Sequence, residues 1–218
     1  YVPRTSWTYT IRYINEQDED LLASEEVTTT DNVQTVVYKA IGGYHVTSPA
    51  VVQQKKPADS SEKPVVVFRY AKNTAVYTVE HYLQYPDGTY YLYEQKVSDE
   101  YPIGKWVTAE PNSYEGFTVK SGVNERSGAV KDNNSLVLKV YYNRNSLTIQ
   151  GREVKYDGNS YTVTVTVPGI EGDTVEYSED NENWSTTKPS YKNAASYTVY
   201  ARIENSGNHS EAVSADVV

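Results

Sequence analysis

Hydrophobic and polar residues alternate with period two along most of the chain, which predicts short strands, each covered on one side. In the run Tyr9-Thr10-Ile11-Arg12-Tyr13-Ile14, the residues Tyr9, Ile11 and Tyr13 share one face. Tyr77, Val79, His81 and Leu83 do the same in a second run. Val66, Phe68 and Tyr70 form a third such face, and Leu138, Val140 and Tyr142 a fourth. In the last third, Tyr161, Val163, Val165 and Val167 alternate with threonines until Pro168-Gly169 breaks the run. Further strands are predicted over 174–177, 197–203 and 212–217, near the ~8 to 12 residue spacing of a β-sandwich. Trp184, set amid Asn and Ser, is expected to plug the core of this last segment.

Two thirds of the chain repeat each other. Tyr9-Thr10-Ile11-Arg12-Tyr13-Ile14 is answered by Tyr77-Thr78-Val79-Glu80-His81-Tyr82 at an offset of 68 residues. Gly43-Tyr44-His45-Val46 is answered by Gly116-Phe117-Thr118-Val119 at 73, and Val66-Val67-Phe68-Arg69-Tyr70 by Leu138-Lys139-Val140-Tyr141-Tyr142 at 72. The drift implies insertions in loops between retained strands. The chain is therefore divided into residues 1–72, 73–145 and 146–218, the first two sharing one fold. Linkers at 71–75 and 143–146 are short, so three tandem modules are expected to form an elongated, stiff rod.

Pro86-Asp87-Gly88 lies between two alternating runs, and Asp-Gly predicts a two-residue type I′ hairpin loop. That register sets Leu83 opposite Leu92 on the core side, with Tyr82 opposite Tyr93 and Gln84 opposite Tyr91 on the other. Continued, it turns Val97 outward, so the strand is expected to end or bulge near Gln95. Tyr82, Gln84, Tyr91 and Tyr93 are the candidate ligand-binding patch, a surface on which sugars or peptides could stack. The plainer alternative is ordinary cross-strand aromatic packing.

Composition sharpens this picture. Tyr occurs 22 times against 2 Phe, with no Cys and no Met, and Val and Thr are abundant. These residues suit a pleated, half-wet surface, so thin modules with modest cores are expected. The net charge of −9, with 11 acidic against 5 basic groups in the last third, offers no basic face for nucleic acid or anionic lipid. Absence of cysteine excludes a disulfide-stapled scaffold and leaves the compartment open. No apolar run approaches the ~18 to 20 residues that span a bilayer, so no membrane insertion is expected. Tyr1-Val2-Pro3-Arg4 resembles neither a signal peptide nor a natural start, and the chain is expected to be a piece of a longer one.

No constellation for catalysis stands out. A serine triad would need His45, His81 or His209, and none has a motif around it. His81 falls on an inward face where the first repeat has Tyr13, so it is expected to be packed. Three isolated histidines without thiols suggest no zinc site. Asp18-Glu19-Asp20 and Glu179-Asp180-Asn181-Glu182-Asn183 are rich in oxygen ligands but lack the spacing of a calcium loop. No pair of carboxylates can be assigned to glycoside cleavage. Lys139 and Lys155, in or beside apolar strands, are candidates for a Lys-Asn amide cross-link, against the simpler reading of outward lysines. No catalytic residue, metal or cofactor is expected.

Tyr9-Thr10-Ile11-Arg12-Tyr13-Ile14, an acidic loop, Gly43-Tyr44 and a strand closing at Tyr70 resemble the mucin-binding-protein (MucBP) repeat of Gram-positive surface proteins. The second segment is similar to a longer variant, through Tyr77-Thr78-Val79-Glu80-His81-Tyr82-Leu83, Asp87-Gly88-Thr89-Tyr90, Gly116-Phe117 and the strand at 136–142. The last segment, with Tyr156-Asp157-Gly158, Val175-Glu176-Tyr177-Ser178, Trp184 and Tyr197-Thr198-Val199-Tyr200-Ala201-Arg202, resembles bacterial immunoglobulin-like repeats. The resemblance implies an all-β to α+β fold, two β-grasp-like modules followed by an Ig-like sandwich, in an extracellular, wall-anchored parent with no catalytic residues. The turn at Asn15-Glu16-Gln17-Asp18-Glu19-Asp20 departs from the pattern in lacking a glycine. Two functions stay open: an adhesin that binds host mucin, glycoprotein or glycan, and a passive stalk that carries a distal domain. The segment is expected to be a monomer.

Overall fold

A computed structural model describes residues 5–59 and 61–218. The reading of Tyr1-Val2-Pro3-Arg4 lies outside the described residues. The protein is all-β. Among the described residues the helical content is one short 3-10 turn, Asn124–Arg126. Packing gathers the chain into two compact units, one of Tyr1–Ala75, Glu100–Lys105 and Val130–Asn134, the other of Val76–Asp99, Trp106–Ala129 and Ser135–Val218.

The first unit holds the first repeat, with strands β1 (Trp7–Asn15), β2 (Asp20–Thr29), β3 (Val33–Val37), β4 (Tyr44–Val46), β5 (Val51–Lys55) and β6 (Val65–Lys72). They form a four-stranded sheet in the order β2-β1-β6-β4 and a separate β3-β5 pair. The central strands β1 and β6 run parallel, with Tyr13 opposite Phe68, while β2 and β4 flank them antiparallel. Period-two alternation drives one side of β1 and β6 inward, where Tyr9, Ile11, Tyr13, Val66, Phe68 and Tyr70 make the core together with Trp7. A short strand, β7 (Thr74–Ala75), pairs with Tyr101–Pro102 in the same unit.

The second repeat has the same plan. After β8 (Thr78–Gln84) and β9 (Tyr90–Val97) come β10 (Tyr101–Pro102), β11 (Trp106–Thr108), β12 (Phe117–Val119), β13 (Ser127–Ala129) and β14 (Val137–Arg144). The sheet is β9-β8-β14-β12, with parallel β8 and β14 at its centre, and β11 pairs with β13 as β3 does with β5. His81 sits opposite Val140 where Tyr13 sits opposite Phe68, and both are buried. Leu83, Leu138, Val140 and Tyr142 complete the inward side.

The last segment contributes β15 (Thr148–Gln150), β16 (Thr164–Thr166), β17 (Thr174–Ser178), β18 (Tyr197–Asn205), β19 (Asn208–His209) and β20 (Val213–Val217). β15 and β16 pair with each other, and β18 is flanked by β17 on one side and by β20 and β19 on the other. The two layers share a core of Leu147, Val163, Val199, Ala201, Ile203 and Val217. The predicted strand through Val167 is regular only over Thr164–Thr166, and Val167 is exposed.

Three expectations are corrected. Trp184 is no core plug: it is half-buried, with the Arg202 guanidinium 4.1 Å from its ring and Arg202 Nε donating to Glu176 at 2.8 Å. The aliphatic residues of both layers already fill the interior, and the Trp ring lies where a cation can cover it. The supposed linkers are also largely strand. Ala71 and Lys72 close β6, Thr74 and Ala75 form β7, and Asn143 and Arg144 close β14 opposite Thr118 and Phe117.

Candidate functional site

The hairpin that carries the four nominated residues differs in register from the sequence expectation. Tyr85 N–H donates to Thr89 C=O and Gly88 N–H to Tyr85 C=O, so the loop has three residues, 86–88. Pro86 is the reason: its ring holds φ negative and suits the first central position of an ordinary type I turn. Gly88 then takes the left-handed conformation at φ 89°, and Asp87 accepts from Thr89 N–H and Oγ1–H. A single residue of slip exchanges the faces of a strand. Leu83 is opposite Tyr91, Tyr82 opposite Leu92, and Gln84 opposite Tyr90. The strand bulges at Tyr93, earlier than Gln95, and Val97 continues outward opposite Thr78.

The nominated patch is consequently split. Tyr82 and Gln84 lie on the outward face with Leu92, which is exposed there instead of facing Leu83. Tyr82 stacks on Tyr141 at 5.0 Å, and Tyr90 meets Tyr141 edge-on at 5.1 Å. This cluster is satisfied from within. Tyr82 donates to Glu80, Tyr90 donates to Asn143, and the Lys139 and Lys120 ammoniums lie 5.8 Å and 5.0 Å from the Tyr82 and Tyr90 rings. The hydrogen bond to Glu80 pushes the Tyr82 phenol up to about 12. Gln84 is equally committed, donating to Gly88 C=O and accepting from Arg144 N–H.

Tyr91 and Tyr93 instead share the Leu83 side. Tyr93 lies edge-on to Tyr91 at 6.5 Å and to Tyr114 at 5.2 Å, and Tyr114 is edge-on to Tyr142 at 4.8 Å. Beneath them runs a hydrogen-bonded chain. Asn112 N–H donates to the Tyr142 hydroxyl at 2.8 Å, and the same hydroxyl is hydrogen-bonded to His81 Nδ1 at 2.9 Å. Burial lowers the His81 pKa, against the opposing pull of Glu94. Tyr114 donates to Glu94 at 2.9 Å, and burial pushes its phenol up to about 12. Above this chain Tyr91, Tyr93, Tyr114 and Phe117, with Leu83 and Ile170, line an open cleft of about 510 Å³ whose rim carries Glu115 and Glu171.

The same unit contains the junction between the second repeat and the last segment. Arg144, ending β14, is ion-paired with Asp173, just before β17, and both side chains are almost fully buried. Asn205 Nδ2 donates to the same Asp173 oxygen at 2.8 Å. Arg144 Nε and Asp173 Oδ2 lack partners among the described residues, so the pair is one-pronged. The Arg144 guanidinium also lies 5.8 Å from the Phe117 ring. Beside it, Gly116 takes φ 76° and leaves room for Ile170, into which a Cβ would collide. Sequence reasoning missed all of these except Gly116, whose match to Gly43 was the one signal available. Asp173 and Ile170 sit in a loop without periodicity.

Other candidate chemistry is absorbed by local structure. Asp18 and Asp20 are ion-paired with Arg69 and Arg12, and Glu19 accepts from Asn15. Asp180 accepts from Ser178 Oγ and from the backbone of Glu182 and Asn183, and the Asn183 bonds hold its carboxyl well below the usual range. No group of acidic or histidine side chains among the described residues is arranged to hold a metal ion. His45 bonds Asn73, and His209 lies 3.5 Å from Glu176. Lys139 faces outward over Tyr82, and Lys155 is exposed. No helix among the described residues is long and apolar enough to cross a membrane.

No family profile matches the chain, and no curated protein does. Among solved structures the chain is similar to the Bacillus anthracis TIE protein, at 13% identity and a TM-score of 0.43, over 98% of this chain and 48% of that one. The chain spans about half the length of that structure.

Proposed function

We propose that this chain is a non-enzymatic segment of a bacterial cell-surface protein, exposed outside the cell, in which the second repeat and the last segment act together as a rigid spacer. The observation that carries the reading is the buried Arg144–Asp173 ion pair, flanked by Ile170 against Gly116. A flexible tether needs no desolvated charge pair at its hinge. Such a pair is costly unless its partners stay in register, so it suits a junction with one geometry.

The shared order β2-β1-β6-β4 and β9-β8-β14-β12, each with a parallel centre, supports reading the repeats as β-grasp-like modules related to the MucBP type. The two-layer last segment supports the Ig-like reading. Distance measurement between spin labels on the second repeat and the last segment tests the spacer: a single narrow distribution is expected, and a broad one would contradict it. The second reading, an adhesin for host glycoprotein or glycan, is favoured by the open tyrosine cleft around Tyr93. Saturable binding to mucins in a glycan screen would put it ahead of a purely passive spacer.

A further inference from the structure

We infer that the cleft lined by Tyr91, Tyr93 and Tyr114 is a binding site for an organic cation, an ammonium or guanidinium group. The inference goes beyond the spacer reading and does not depend on it. An aromatic face carries the negative lobe of its quadrupole and attracts cations, most strongly where water is partly excluded. This protein uses that attraction repeatedly within itself. Lys39 lies 5.5 Å from the Tyr13 ring, Lys105 4.4 Å from Tyr101, Arg152 4.8 Å from Tyr161 and Arg202 4.1 Å from Trp184. The outward rings of Tyr82 and Tyr90 are likewise covered by Lys139 and Lys120.

Tyr91, Tyr93 and Tyr114 differ. Among the described residues no Lys or Arg of the chain lies over any of the three; Tyr93 stands roughly perpendicular to both of the others beside an open cleft, and Tyr91 also packs on Tyr85 at 4.3 Å. Tyr93 is 56% exposed, and neither its hydroxyl nor that of Tyr91 has a hydrogen-bond partner among the described residues. The rim carboxylates of Glu115 and Glu171 are exposed and form no ion pair among the described residues, and Glu94 lies behind Tyr114. Electron-rich ring faces and unneutralised carboxylates converge on one cavity. A cation gains from both, whereas a neutral saccharide gains from the rings alone. The net charge of −9 also raises the local concentration of cations.

The ammonium could belong to a small quaternary amine or to a lysine side chain of a partner, and one experiment distinguishes them. The intact chain is titrated by calorimetry with choline, with N-acetyl-lysine-N-methylamide and with 3,3-dimethylbutan-1-ol, the neutral isostere of choline. At least one cation is expected to bind saturably, about tenfold or more tightly than the neutral alcohol, and more weakly as salt is raised. Choline ahead points to a quaternary amine, and the lysine derivative ahead to a protein side chain. Tyr93→Ala removes binding while the protein stays folded, with a small fall in melting temperature from the lost ring contacts, because the ring is 56% exposed on the edge strand. Tyr93→Phe retains binding, and Glu115→Gln with Glu171→Gln weakens it several-fold. Equal binding of the alcohol, binding that survives Tyr93→Ala, or no saturable binding of either cation would overturn the proposal.

Discussion

Arg144 and Asp173 form an ion pair whose side chains are only 7% and 5% exposed, joining the end of β14 to the start of β17. Removing one partner leaves the other charge buried and uncompensated. Asp173→Ala is therefore expected to destabilise the second unit by about 3 to 5 kcal/mol. Arg144→Met with Asp173→Leu should recover most of that loss, since well-packed apolar residues can replace a buried pair at little cost. Urea denaturation of the two variants beside the parent checks this, and a double variant as unstable as Asp173→Ala would contradict it.

Gly116 makes a second, independent contribution to the junction. Its φ of 76° is unfavourable for any side chain, and Ile170 occupies the space a Cβ would need. Gly116→Ala is expected to cost about 1 to 3 kcal/mol. Adding Ile170→Ala should relieve the collision while leaving the backbone strain, so the double variant falls between. Equal stabilities of Gly116→Ala and the wild type in thermal melts would show that the loop simply moves aside.

The hairpins of the two repeats share one turn despite different sequences. Asp18 at φ 63° occupies the position of Gly88 at φ 89°, and Asn15 bonds Glu19 and Asp18 as Tyr85 bonds Thr89 and Gly88. A left-handed conformation costs an L-residue about 1 to 2 kcal/mol, less for Asp. Asp18→Gly is expected to raise stability by about 0.5 to 1 kcal/mol, because the exposed Asp18–Arg69 ion pair it removes contributes little. Gly88→Ala should lower stability by about 1 kcal/mol or more. Opposite signs for both changes in chemical denaturation would contradict the shared turn.

His81 gives the second unit an acid sensitivity of defined sign. Burial lowers its folded-state pKa below the ordinary value of about 6.5. Between those two values the unfolded chain binds a proton that the folded chain excludes, so stability falls as pH drops through about 6.5 and levels off below the folded pKa. His81→Gln, which keeps a polar partner for Tyr142, should flatten this part of the stability profile. An unchanged profile would remove His81 as the cause.

Strand faces were legible in the sequence because period two is local. Tyr9, Ile11 and Tyr13, and Leu138, Val140 and Tyr142, point inward as their alternation predicts, and the repeat matches correspond to equal sheet orders. The register of β9 was not, because it rests on a choice between two turns that share Asp-Gly. Pro86 decides that choice, because its fixed negative φ suits the first central position of an ordinary type I turn and not of type I′. The slip that followed moved Leu92 outward and Tyr91 inward, dividing the nominated patch into two clusters. The Arg144–Asp173 pair was beyond reach for a different reason: it joins residues far apart in sequence, and neither carries a pattern that names its partner.

The central claim is that the second repeat and the last segment hold one geometry, and the most direct test is a distance distribution in the intact chain. The protein has no cysteine, so Lys96→Cys and Lys188→Cys place two spin labels uniquely on exposed positions of β9 and of the last segment. Double electron–electron resonance is predicted to give a single narrow distribution that broadens when Asp173→Ala is added. A broad distribution in the parent, or one indifferent to Asp173→Ala, would contradict the account.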